Sequence, residues 1–268
     1  MDLSRDLRLA LEMADTADAI TVPRFRAADL VVDTKPDRSP VTEADRSAEQ
    51  AMRALLARER PGDGVLGEEF GDAPAGERRW ILDPIDGTVN YLRGIPVWGT
   101  LIALEQAGEI IVGVVTAPLL RRRWWAARAA GAFGNGARLR VSQVARLADA
   151  QLSYNAQVTF EECGYGPQGL ALSRRCWRTR GFGDFWSHLL VAEGAVDVAV
   201  DPVAKVWDLA PLQVIVEEAG GRFTDFAGAA RPDGGNGVSS NGLVHEEALA
   251  ILNDPDPQAP PRAGGVVA

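Results

Sequence analysis

The stretch WILDPIDGTVNY, from Trp80 to Tyr91, begins as a strand and then delivers two carboxylates, Asp83 and Asp86, three residues apart with Pro84 between them. Gly87 and Thr88 follow directly. Without a counter-charge the two acids would repel one another, and desolvating either is costly enough to shift its pKa until it neutralises. Something positive is expected there. An Asp-Pro-Ile-Asp turn can aim both side chains and the Ile85 carbonyl at one point, because proline fixes the turn and takes no donor with it. Hard divalent cations, magnesium above all, are held by a few carboxylates, a carbonyl and waters while a substrate phosphate completes the shell. Gly87-Thr88 then starts a helix whose first N–H groups, free of intrahelical partners, would cradle that phosphate.

The surrounding chain is of an ordinary globular kind. Its 268 residues, 46% of them apolar, suffice for one large domain or two intimately packed halves. Asp and Glu number 37 against 28 Lys and Arg, a formal charge of -9 that repels nucleic acid and anionic membrane surfaces. The opening MDLSRDLRLALEMADTADAI threads acids through its apolar positions and reads as an amphipathic helix rather than a signal peptide. No run is apolar for long enough to span a bilayer. Cys163 and Cys176 are too few for a disulfide framework and lack metal-site spacing, so a reduced, cytoplasmic protein is expected.

Leu3, Leu7, Leu11, Ala14 and Ala17 recur at helical spacing, as do Ala48, Met52, Leu55 and Leu56, with PDRSP breaking the pattern between them. After these two helices come a strand at Val65-Leu66, the Trp80 strand, a hairpin across Gln106 to Glu109 and short strands in RRRWWAARAAGAFGNGARLRVS. From Ala145 onward strands and helices alternate: strand 151–154, helix 168–177, helix 184–193, strand 197–200, helix 209–219, strand 222–225 and a last helix after Asn241. The fold class is α/β, α+β over residues 1–144 and α/β over 145–252. Residues 253–268, proline- and glycine-rich, are expected to form a disordered tail.

Acids recur where elements begin or end. GEEF puts Glu68 and Glu69 after a strand, TEAD puts Asp45 at a helix start, and VWDLAP puts Asp208 at another. Each has a plainer reading: Thr42-x-x-Asp45 is a capping-box pattern, Asp208 suits a helix N-terminus, and GEE alone is surface charge. Together with Asp83 and Asp86 they read as one oxygen-rich cation site.

GEE, WILDPIDGTVNY and WDLAPLQVIVEEAGG, in this order and at these separations, resemble the inositol monophosphatase family of magnesium-dependent phosphatases, over the whole chain to about Ile251. The resemblance implies an αβαβα layered sandwich and a homodimer. It implies that Glu68, Asp83, Ile85 through its carbonyl, Asp86 and Asp208 ligate two or three Mg2+ ions, Mn2+ being a substitute that carboxylate sites accept. It gives Gly87 and Thr88 to the phosphate, and to Asp45 and Thr88 the orientation and deprotonation of the attacking water. That last role competes with the capping box, unless each carboxylate oxygen of Asp45 does one job. In-line displacement at phosphorus with two cations needs no covalent enzyme intermediate, and His188 and His245, both in helical patterns, read as packing residues.

GFGDFWSH, RRRWW and VAEGAVDVAV look like the actinobacterial histidinol-phosphate phosphatase branch of that family. By this resemblance Asp184 sits beside the organic part of the substrate, with Asp201 on the other side; Arg180 contacts substrate or a neighbouring subunit. Asp184 could equally be a helix N-cap. RRRWW reads as a solvated turn with flanking core tryptophans rather than a nucleic-acid patch. The expected activity is therefore hydrolysis of a phosphate monoester. Alternatives are an inositol or broader sugar monophosphatase, a non-catalytic phosphometabolite-binding protein, which would have lost part of this residue set, and a nucleotidase, for which no second phosphate site is identifiable.

Overall fold

The computed structural model describes residues 3–36, 38–73 and 76–257. The part of the expected tail from 258 to 268 lies outside the described residues. Helix α1 (Leu3–Arg24) buries Leu9, Ala10, Met13, Ala14 and Ala17. Leu7 and Leu11, expected in that stripe, are half-buried flanks, because the alanine-rich side is the one that can lie closest to its neighbours. The hairpin β1 (Val32–Thr34) and β2 (Pro40–Thr42) leads into α2 (Glu43–Glu59), whose Ala48, Met52, Leu55 and Leu56 are buried as their spacing predicts.

The first sheet is built from β3 (Gly64–Gly67), β4 (Gly71–Ala73), β5 (Arg78–Asp86), then, after the short helix α3 (Thr88–Leu92), β6 (Gly99–Gln106), β7 (Glu109–Ala117), β8 (Arg122–Ala127), β9 (Gly131–Gly134) and β10 (Ala137–Arg138). Its order is β10-β9-β8-β7-β6-β5-β3-β4, antiparallel except for β3 against β5. The second half supplies β11 (Gln151–Tyr154), α4 (Gln157–Glu162), α5 (Gly166–Arg175), β12 (Arg178–Arg180), α6 (Asp184–Ala192), β13 (Val198–Asp201), α7 (Val206–Glu218), β14 (Arg222–Thr224), β15 (Gly237–Ser240) and α8 (His245–Leu252). Its sheet runs β12-β11-β13-β15-β14, parallel on the β12-β11-β13 side and antiparallel beyond.

Strand alternation builds the layers. Trp80, Leu82, Ile102, Leu104, Val112 and Val114 point to α1 and α2, whereas Ile81, Leu101, Ala103 and Val115 point the other way, onto Leu189 of α6 and Leu209, Leu212 and Ile215 of α7. Both faces are covered, which is why these strands read as unbroken apolar runs. The same α6–α7 layer meets Ala199 and Phe223 of the second sheet, and α5 and α8 cover that sheet's far side through Leu172, Ala248 and Leu252 against Leu152, Val198 and Val238. The order is helix, sheet, helix, sheet, helix: the αβαβα sandwich expected. The central core draws on residues from both sides of position 144.

Four local readings are corrected. Helix α7 starts at Val206, three residues before the expected Leu209, because Asp208 caps it as the third helical residue and accepts the Lys205 N–H at 2.7 Å. Strands β12 and β15 were not anticipated, being three- and four-residue segments with little apolar alternation. Nor was α4, one and a half turns without a capping side chain. In RRRWW, Arg122 and Arg123 are not in a solvated turn but in β8, paired with Glu193 and with Asp15 and Asp18; Trp124 is fully buried, as expected, and Trp125 stacks on Phe133.

Candidate active site

Strand β5 does not end in a turn at Asp83. It stays paired with β6 through Asp83 opposite Leu101 and again through Asp86 opposite Gly99, with a register shift between. Pro84 has no N–H to offer the ladder, so the segment bulges there, and its carbonyl accepts Thr100 Oγ1 at 2.8 Å instead. The bulge matters because residues three apart in a regular strand face opposite sides. Here Asp83, Asp86 and Asp208, delivered by β5 and the first turn of α7, each place a carboxylate oxygen within 4.8 Å of the other two.

Each of the three is steered by one backbone N–H. Ile85 donates to Asp83 Oδ1 at 3.0 Å, Phe185 to Asp86 Oδ2 at 2.8 Å, and Lys205 to Asp208 Oδ2 at 2.7 Å. That leaves the second oxygen of each carboxylate for the shared centre. Burial, then the charges of Glu68, Asp86 and Asp208, hold Asp83 well above the usual carboxylate range. Asp86 is raised in the same way by burial and by Asp184 and Asp208, and Asp208 is lifted to about 7 chiefly by burial. Such a set of hard oxygens repels itself, and cations relieve it: the residues fit a divalent-ion site.

Glu68 joins on the Asp83 side and is gripped by Lys35 Nζ at 2.6 Å, as is Glu69. The turn carrying both is fixed by Glu49, fully buried in α2, which accepts the N–H groups of Glu69 at 2.8 Å and Phe70 at 3.2 Å while Arg53 Nε balances its charge at 2.7 Å. Gly67 is required there, since a Cβ would lie 2.0 Å from Glu49 Oε1. Sequence reasoning missed Glu49. Its signal was an acid four residues after Asp45 on a helix face otherwise made of Ala48 and Met52.

Asp45 both caps α2 and faces the site. Its Oδ2 accepts the Thr42 N–H at 2.9 Å, closing the capping box, while Oδ1 stands 3.4 Å from Thr88 Oγ1. Thr88 Oγ1 also donates to the Ile85 carbonyl at 3.0 Å. Burial raises the Asp45 carboxyl to about 6. Gly87, left-handed at φ 82°, begins α3, and Gly87, Thr88, Glu68, Asn90, Asn155 and Asp184 line a cleft of about 660 Å3.

Asp184 is not the N-cap of α6; Gly183 is, and Asp184 is the first helical residue, held at φ 48° by the Asn155 Oδ1 that accepts its N–H at 2.6 Å. Its Oδ2 accepts Asn90 Nδ2 at 3.2 Å, and burial lifts its carboxyl to about 6. Asp184, Asp201, Asp86 and Asp208 together line a small hollow of about 50 Å3 next to the cleft. Arg180 is not brought to either space: it is exposed on β12 and donates to the Thr179 carbonyl. Phe185, the residue after Asp184, is buried against Trp124, whereas Phe182 lines the cleft. Asn90 and Asn155 were not singled out from sequence, since an isolated asparagine carries no signal.

A model of the inositol monophosphatase family matches residues 2–255. Among similar proteins, a histidinol-phosphatase of Mycobacterium tuberculosis is 54% identical, the match covering 92% of this chain and 98% of that one. A histidinol-phosphatase of Streptomyces coelicolor is 51% identical over 94% and 98%. Among solved structures, an IMPase/NADP phosphatase complexed with Mg2+ and phosphate superposes with a TM-score of 0.83 at 26% identity, covering 94% of this chain and 97% of its own. No helix among the described residues is long and apolar enough to cross a membrane. From the layered fold, the family-wide match and the relatives at more than half identity it follows that the chain belongs to the inositol monophosphatase family.

Proposed function

We propose that this chain hydrolyses L-histidinol phosphate to L-histidinol and phosphate, a step of histidine biosynthesis, as a metal-dependent phosphomonoesterase. The observation that carries the reading is two adjoining acidic sets: Asp83, Asp86 and Asp208 converge on one centre, and Asp184 and Asp201 line one hollow with Asp86 and Asp208. The first set suits cations that bind phosphate, the second a substrate whose far end is cationic. Histidinol phosphate has both halves, and the relatives sharing about half of this sequence carry that activity in their names.

Asp83, Asp86, Asp208, Glu68 and the Ile85 carbonyl would hold two or three magnesium ions, with manganese as a substitute. When bound, these ions supply charge neutralisation for the phosphate and a water acidic enough to react near neutral pH. The chain does the rest. The N–H groups of Gly87 and Thr88 hold the phosphate, Thr88 Oγ1 orients the attacking water, and Asp45 Oδ1 accepts its proton. Burial, which lifts this carboxyl to about 6 in the metal-free protein, favours its taking up a proton, as a general base must. Asp184 and Asp201 pair with the ammonium and imidazole groups of the substrate.

The proposal extends to a homodimer working in the cytoplasm. Two unpaired thiols, Cys163 and Cys176, suit a reducing compartment. Exposed Trp177 beside the edge strand β12 offers apolar surface and unpaired backbone to a second copy, with Arg180 beside it. The deciding experiment is phosphate release from histidinol phosphate and inositol 1-phosphate, side by side under magnesium. Preference for inositol 1-phosphate would overturn the reading.

A further inference from the structure

His188 is fully buried, lies one helical turn after Asp184 on α6, and is not explained by packing alone. Its Nε2 is 2.9 Å from Asp201 Oδ2 and its Nδ1 is 2.7 Å from Ser239 Oγ. A carboxylate accepts, so Nε2 carries the proton and donates to Asp201. Ser239 is on β15, which pairs with β13, the strand that ends on Asp201. The imidazole is thus clamped at both nitrogens between two neighbouring strands, with Phe223 against its ring at 6.3 Å. The other oxygen, Asp201 Oδ1, is buried without a partner, in a residue that is only 6% exposed and lines the 50 Å3 hollow with Asp184.

A buried carboxylate oxygen without a donor costs free energy comparable to a lost hydrogen bond, or more when charged, and is retained where a ligand supplies the donor. The hollow has room for an ammonium head, since a single water needs only about 10 to 15 Å3 of such volume. Nothing else on β13 fixes which Asp201 oxygen turns inward. A carboxylate at a strand end rotates about two bonds, and a donor on one oxygen selects the rotamer that presents the other.

We propose that His188 is a positioning residue for substrate selection: by donating from Nε2 to Asp201 Oδ2, with Ser239 fixing the ring, it holds Asp201 Oδ1 toward the cationic nitrogen end of the substrate. This rests on the proposed activity, and it adds a residue that reaches the substrate only through Asp201. The hydrogen bonds of His188 go to Asp201 and Ser239 and not to Asp83, Asp86 or Asp208, so its effect belongs chiefly to binding of the organic half.

The test compares H188L, which removes the donor, with H188Q, whose amide nitrogen can stand where Nε2 stands, each on histidinol phosphate and on inositol 1-phosphate with magnesium present. H188L is expected to raise KM for histidinol phosphate roughly 10- to 100-fold, the equivalent of one charge-assisted hydrogen bond. Its kcat, and both constants for inositol 1-phosphate, should stay near parental, and H188Q should restore most of the lost affinity. In D201N the further change H188L should add nothing, because the residue acts through Asp201. Equal losses on both substrates, or an unchanged KM in H188L, would overturn the inference while leaving the proposed activity standing. A parent enzyme without preference for the cationic substrate would overturn both. Should H188L not fold, H188M, a second side chain without a donor, takes its place: a rise in KM for histidinol phosphate alone supports the inference, and an unchanged KM or equal losses on both substrates overturn it.

Discussion

Asp45 divides its carboxylate between two neighbours: Oδ2 closes the helix cap with the Thr42 N–H at 2.9 Å, and Oδ1 faces Thr88 Oγ1 at 3.4 Å. Cap and candidate general base are one residue, so the two contributions separate in different measurements. Thr88→Ala is expected to lower kcat much more than it raises KM, because orienting the water matters chiefly in the transition state while the backbone N–H contacts to phosphate survive. Asp45→Asn should cost about a hundred- to ten-thousand-fold in kcat with no more than about 1 to 2 kcal/mol of stability from the weakened cap. Steady-state kinetics and thermal melts check both. A Thr88→Ala loss confined to KM would make Thr88 a binding residue only.

The metal-free protein should lose stability as pH rises. Asp208, lifted to about 7, and Asp184, lifted to about 6, have folded-state values above the ordinary carboxyl value of 3.8. The folded state therefore binds protons more tightly than the unfolded chain. Their contribution is fully present below the unfolded value and is lost as pH climbs through about 6 to 7. Calorimetry without magnesium is expected to show Tm falling between about pH 4 and pH 7. Magnesium should restore it, most strongly at the alkaline end, since a ligand bound only by the native state stabilises it. A Tm indifferent to both pH and magnesium would count against the carboxylate cluster.

Gly113→Ala tests how α7 is seated. A Cβ at Gly113 would lie 2.6 Å from the Pro211 carbonyl oxygen and 2.6 Å from Val214 Cγ1. The carbonyl is backbone and cannot move without lifting the first turns of α7, which carry Asp208. A loss of about 1 to 3 kcal/mol is expected, read as a lower Tm, together with a smaller stabilisation by magnesium than in the parent. Full stability in this variant would mean that β7 and α7 slide freely over one another.

The clustering of carboxylates was legible in the sequence because its groups come in contiguous runs. GEE, DPIDGT and WDLAP each couple chemistry to an element boundary, and the layers followed from apolar periodicity. What escaped was set by contacts between distant segments. Whether Pro84 makes a turn or a bulge depends on β6 continuing beside it as far as Gly99. Glu49, Asn90 and Asn155 act through partners from 7 to 94 residues away, which no local pattern reports. His188 was set aside as a packing residue. It is buried, but both ring nitrogens are engaged, and its partner Asp201 lies on another element. Short polar strands such as β12 and β15 exist because a neighbour completes their ladder, not because of their own alternation.

In the proposed activity, substrate choice rests on Asp184. Its carboxyl lines both the cleft and the hollow, steered by Asn90 and held on a left-handed backbone by Asn155. Histidinol phosphate carries a primary ammonium and an imidazole that can be protonated, whereas beyond their phosphate inositol and aryl phosphates carry no cation. Asp184→Asn keeps the shape and the Asn90 contact through its amide oxygen, and removes the charge. Truncating one partner of a buried charge pair costs about 2 to 5 kcal/mol, at about 1.4 kcal/mol per tenfold. The specificity constant for histidinol phosphate should therefore fall by roughly one to three orders of magnitude, while the slow hydrolysis of a generic aryl phosphate barely changes. Both are read as phosphate release under saturating magnesium. Equal losses on the two substrates would place Asp184 with the cation site instead, a short step away, since Asp86 already feels its charge.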